Sequence, residues 1–211
     1  FYKTCNDDIF QKNIPSGWRA FQLAFILLNL DGIFDDNSAN EKRNELVDLV
    51  WFPTGGGKTE AYLGLISLTI LHRRMQHKGT GGGTAAIMRY TLRLLTLQQF
   101  QRASKLIVAL ELMRRGKKSF GQDLGLEPIR IGLYVGDNQL PNKTDDLIKE
   151  FQRLNQGSPS KIPFEKCICC GEKIIGLETI LNPQNNNYNH NIGRLECVNV
   201  KCAMHIPNDF E

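Results

Sequence analysis

The apolar positions of this chain fall into stretches with two different periods. Trp18 to Leu30 (WRAFQLAFILLNL) puts Phe21, Ala24, Phe25 and Leu28 on one face at helical spacing, which predicts a first helix. The acidic, polar run DGIFDDNSANEKRNE behind it reads as an exposed loop. Leu46 to Phe52 (LVDLVWF) is short, β-rich and bounded by Pro53 and three glycines, the pattern of a buried strand in a parallel sheet; Asp48 is the position that does not fit. Glu60 to Met75 is apolar nearly all round and predicts a largely buried helix. Beyond the break KGTGGGT (Lys78 to Thr84), Ala85 to Thr91 reads as a second strand. Leu94 to Arg115 then reads as a second long helix, and Ile129 to Val135 (IRIGLYV) as a third strand. Strands alternating with helices predict an α/β fold, a parallel sheet flanked by helices.

Composition changes this picture little. With 211 residues, 41% of them hydrophobic and 23% charged, the chain has room for one core domain and a small appendage. No apolar run is long enough to cross a bilayer and no signal-peptide pattern opens the sequence, so a cytoplasmic protein without a membrane partner is expected. A start at Phe1 and an end at Phe210-Glu211 read as a piece of a larger protein.

Charge changes it more. The net charge is +4, yet Leu71 to Lys118 carries eleven Lys and Arg against a single acid, Glu111, so the remainder is net acidic. A basic block inside an acidic chain is the electrostatic footprint of a phosphate or nucleic-acid partner, or else a solvated helix face.

The stretch WFPTGGGKTEAYLGL supplies the chemistry. It sits between the first predicted strand and the buried helix, where a phosphate-binding loop belongs. Gly55, Gly56 and Gly57 allow a tight turn with N–H groups aimed inward, Lys58 would reach the β- and γ-phosphates of ATP, and the Thr59 hydroxyl would complete the shell of a Mg²⁺ ion. Thr54 and Glu60 flank the cradle, and the helix opening at Thr59-Glu60 adds its dipole. The general pattern G-x-x-x-x-G-K-[ST] asks for glycine where Phe52 stands. The second glycine cluster, Gly79 to Gly83, lacks a following Lys-Ser or Lys-Thr and precedes a strand, so it reads as a connector.

Two further segments resemble those of superfamily 2 helicases. Arg19-x-Phe21-Gln22 resembles their adenine-reading segment, where a Gln amide can pair with N6 and N7 of the base. Met88 to Gln98 (MRYTLRLLTLQ) resembles the motif that grips the backbone of a single DNA strand. Through that resemblance Arg89, Thr91, Arg93 and Thr96 become candidate phosphate contacts, with Arg102 and Lys105 on the helix beyond. More closely, GWRAFQLAFILLNL, LVWFPTGGGKTEAYLGL and GGGTAAIMRYTLRLLTLQQFQRASKLIVALELMRR resemble the family of large helicase subunits of the bacterial DISARM anti-phage defence systems. Bacterial DNA-repair helicases share the phosphate-loop wording. The resemblance implies an ATP-driven motor on DNA, a partner protein of the same defence system, and a RecA-like P-loop NTPase lobe. Lys58 and Thr59 are then its catalytic residues within this chain.

The cysteines carry a separate signal. Cys167-x-x-Cys170-Gly and Cys197-x₄-Cys202 have the spacing of two zinc knuckles that together make a four-thiolate structural site for Zn²⁺. The polar run LNPQNNNYNHNIG between them cannot build a core, so a metal would be the staple. Disulfides, or His205 in place of one cysteine, are the alternatives. Cys169 lies inside the first turn and blurs the ligand choice, while Cys5 has no evident partner. These signals divide the chain into a lead-in (1–17), the first part of a RecA-like lobe (18–155) and a zinc-binding insertion (156–211). No Asp-Glu-x-His or Asp-Glu-x-Asp box occurs, so the acid pair of a helicase is expected beyond Glu211. A nucleotide-gated module that clamps DNA and a partner without unwinding is the other reading.

Overall fold

The computed structural model describes residues 17–34, 47, 49, 51, 56–77, 81–90, 93–116, 123–136, 139–181 and 190–203, with the backbone alone at 93–95, 178–181 and 190–193. These residues form two compact units, one within Asn13–Ile131 and one within Gly132–Glu211.

The first unit is helical. Helix α1 (Ala20–Leu28) is followed by the short α2 (Leu30–Phe34), then α3 (Lys58–Gln76) and α4 (Arg93–Arg115). Helix α1 packs on α3 through Ile26, and Phe25 meets Tyr62 edge-on with ring centroids 5.7 Å apart. Further along α3, Ile70 joins Ile107 and Leu110 of α4 and Ile129 in a buried cluster, flanked by Ile66, Leu71, Ala85, Leu106 and Met113. The expected helices at 18–30, 60–75 and 94–115 are therefore present.

The expected strands differ. Residues 85–90 and 129–135 run irregularly, without ladder partners among the described residues, and so do Val47, Leu49 and Trp51 of the first one. A strand exists only through its neighbours. Without one, Val47, Trp51, Ile87 and Tyr134 are left exposed. Ile129 is buried all the same, because arginines from both long helices hold the chain beside it. Arg74 donates to the carbonyls of Glu127 and Pro128, and Arg114 to those of Gly125 and Leu126.

The second unit pairs a helix with a hairpin. Helix α5 (Thr144–Asn155) lies against β1 (Ile174–Leu181), which pairs antiparallel with β2 (His190–Cys197) so that Ile174 faces Cys197. Phe151 and Leu154 of α5 are buried, as are Ile162 and Ile174. The hairpin is the one sheet among the described residues. No described helix is long and apolar enough to cross a membrane.

Candidate functional site

Gly57 opens the candidate phosphate loop's helix. Its φ of +92° is left-handed, which favours glycine, and a Cβ there would stand 2.6 Å from Gln22 Nε2, whose amide would have to shift. Two residues from α1's start hold the turn. Arg19 Nη1 donates to the Gly56 carbonyl at 2.7 Å, and Gln22 Nε2 donates to the Gly57 carbonyl at 2.8 Å. Gln22 Oε1 in turn accepts the Arg19 backbone N–H at 2.8 Å, and the side chain is buried. Both ends of the Gln22 amide are thus engaged with protein, and the carbonyls of Gly56 and Gly57 are both taken up by residues at the start of α1. Sequence reading brings Arg19 and Gln22 to this loop for a base; here they meet its backbone.

Lys58, Thr59 and Glu60 form the first turn of α3 and are half-buried. Glu60 pairs with Arg102 of α4, each side chain a little under half exposed. Burial raises the Tyr90 hydroxyl's pKa, and the nearby positive charge of Arg102 pulls the other way, so Tyr90 belongs to the same neighbourhood. Thr54, Gly55 and Thr91 lie outside the described residues, as does the side chain of Arg93. Arg89 is exposed, and Thr96 is half-buried on α4.

The basic block divides. Arg73 donates to the Thr84 carbonyl, tying down the end of the glycine-rich connector. Arg74 is buried on the carbonyls already named, while Arg114 and Arg115 bind Glu111. These four are structural. On α4 the exposed positions Gln98, Gln101, Arg102 and Lys105 recur at helical spacing and carry no acid. The block's other cations with described side chains are Arg89, Arg102 and Lys105, all of them exposed.

The four cysteines converge. Their sulfurs all lie within 4.8 Å of one another, and every one of the residues is buried. Cys167 Sγ is 3.7 Å from Cys202 Sγ, and Cys170 Sγ 3.4 Å from Cys197 Sγ. Four sulfurs around one zinc at about 2.3 Å would sit roughly 3.8 Å apart, so the donor set fits a tetrahedral metal. Local turns explain the convergence. Gly171 (φ +77°) closes the first, with its N–H on the Cys167 carbonyl at 2.9 Å. In the second, the Cys202 N–H reaches the Asn199 carbonyl at 2.9 Å. Burial pushes the Cys197 thiol up; against the same burial, the Glu172 N–H and the neighbouring thiols bring Cys170 down. All four are thiols, so disulfides among them are set aside. Cys169 is buried but is not one of the four, and Cys5 and His205 lie outside the described residues.

No family model matches the chain, and no solved structure does. Over 97% of its length it is 39% identical to the DISARM protein DrmA of Bacillus paralicheniformis, and it spans 19% of that relative's length. The similarity relates the chain to that DISARM protein across both units.

Proposed function

We propose that this chain is the nucleotide-binding front of an ATP-driven DNA helicase or translocase, working in bacterial anti-phage defence with a partner protein of the same system. One observation carries the reading. Arg19 and Gln22, far upstream, close on the carbonyls of Gly56 and Gly57, just where α3 begins with Lys58 and Thr59. A glycine turn held at two carbonyls and followed by a helix N-terminus supports the reading of a phosphate cradle. Lys58 would reach the terminal phosphates of ATP and Thr59 would hold Mg²⁺, with Gly55, Gly56 and Gly57 giving backbone N–H groups and Thr54 and Glu60 flanking them. A RecA-like lobe would set helices α3 and α4 beside strands at 46–52, 85–91 and 129–135, segments whose described residues run without ladder partners. The similarity to DISARM protein DrmA supports the defence setting.

DNA would run along the exposed strip of α4, with Arg89 and Arg102 on its backbone and Thr91, Arg93 and Thr96 at the approach. In the second unit Cys167, Cys170, Cys197 and Cys202 would hold zinc, which supplies a structural cross-link and no chemistry on substrate.

The test is Mg-ATP binding by isothermal titration without DNA, on the chain and on Lys58→Ala. Loss of the charge-assisted contact should weaken binding by about ten- to a hundredfold while the melting temperature holds. Equal affinity in the two proteins overturns the assignment.

A further inference from the structure

Arg102 stands at the meeting of two surfaces. On one side it belongs to the exposed, acid-free strip of α4 with Gln98, Gln101 and Lys105. On the other it reaches Glu60, 42 residues earlier, in the first turn of α3. Glu60 Oε1 takes the guanidinium, and Oε2 lies back toward Gly57, within 3.4 Å of where a Cβ would be. A guanidinium has donors for two partners, but one carboxylate already beside it cancels the charge that a phosphate would seek. Lys105, one helical turn on, is exposed.

We propose that Glu60 is a built-in competitor for Arg102 against the phosphate backbone of a single DNA strand, an autoinhibitory contact that a strand must displace. The inference rests on the reading that the α4 strip tracks DNA. Its consequence concerns both sites. When a strand takes Arg102, Glu60 is left as an unpaired carboxylate at the mouth of the phosphate loop, where it repels the nucleotide's phosphates. Strand and nucleotide then weaken each other's binding through this pair, by the same factor in each direction. The ion pair thus joins the loop helix to the strand-binding helix at the polar end of their contact, beside the buried cluster of Ile70, Ile107 and Leu110.

The experiment measures binding of a fluorescent single-stranded oligodeoxynucleotide of about 20 nucleotides by anisotropy, at low salt and without nucleotide. It compares the chain with E60Q, R102Q and the double variant. An ion pair this exposed is worth a factor of about two to five in an equilibrium constant, so E60Q should bind the strand about two- to fivefold more tightly. In the R102Q background the same change should have no effect, because the cation for which Glu60 competes is gone. Thermal melts of all four proteins check that the fold is unaltered.

Unchanged affinity in E60Q overturns the proposal. So does an equal gain with and without Arg102, since that is only the removal of one negative charge. If none of the four binds the strand, the proposal fails as well, while the ATP reading, tested at Lys58 without DNA, stands or falls on its own.

Discussion

Glu111 shows what a single carboxylate does inside a basic segment. It accepts from Arg114 Nε at 2.7 Å and Nη2 at 2.6 Å, from Arg115 Nε at 2.8 Å, and from the Ile129 N–H at 2.9 Å. Burial alone would raise its pKa, but these donors outweigh it and bring the carboxyl from the ordinary 4.5 to about 2. A depressed carboxyl contributes stability that is complete above pH 4.5 and is lost as pH falls toward 2. Glu111→Gln removes the charge and leaves the partly buried Arg114 without a counter-ion, at a cost of about 3 kcal/mol at neutral pH. Urea unfolding at pH 7 and pH 3 checks this: the chain should lose stability between the two, and the variant should lose much less. Parallel losses would show that the network contributes nothing through charge. The eleven cations read from sequence as one block hide this residue, because a count of charges does not say which of them face each other.

At the level of elements, the hairpin and α5 show what the sequence did and did not disclose. TDDLIKEFQRLN has Asp145 and Asp146 in its first turn and Leu147, Phe151 and Leu154 at helical spacing, so the signal for α5 was there beside a louder cysteine pattern. Helices α1, α3 and α4 were legible because their apolar periods run long. The three segments read as parallel strands carry the right residues, but strands are completed by partners and not by their own sequence. Helix α5 is fixed to β1 at one point: Asn155 Nδ2 donates to the Gly176 carbonyl at 2.9 Å, and Asn155 Oδ1 accepts the Gly176 N–H at 2.8 Å. A Cβ on Gly176 would fall 2.3 Å from Phe151 Cγ. Gly176→Ala should therefore overpack this contact and cost about 1–3 kcal/mol, read as a lower urea midpoint. An unchanged midpoint would mean that Phe151 has another place to go.

For the whole molecule, the division into two units has a practical outcome. The candidate metal and the candidate phosphate loop belong to different units, each with its own buried residues. Among its described residues the cysteine unit buries few apolar side chains, so a metal there would be a large share of its stability. The purified chain should carry about one zinc. Removing it with a chelator should speed amide exchange across 139–203 while α3 and α4 stay protected, as followed by exchange mass spectrometry. Uniform loosening of both units, or metal-free protein with β1 and β2 still protected, would contradict it. The cluster of four cysteines was readable residue by residue, since Cys-x-x-Cys-Gly is a local turn. The candidate phosphate loop was readable as a motif, but the contacts of Arg19 and Gln22 with its carbonyls were not, because they join residues 37 and 35 positions apart.

Those spans also set an order of assembly. Helix α3 can nucleate from its own residues, but the turn before it takes its braced shape only when a long loop closes. Translation runs from the amino terminus at about 5–20 residues per second, so Arg19 and Gln22 are made roughly 2–7 s before Gly56 and Gly57. The brace precedes the part it braces, and the turn is shaped against a partner that is already synthesised.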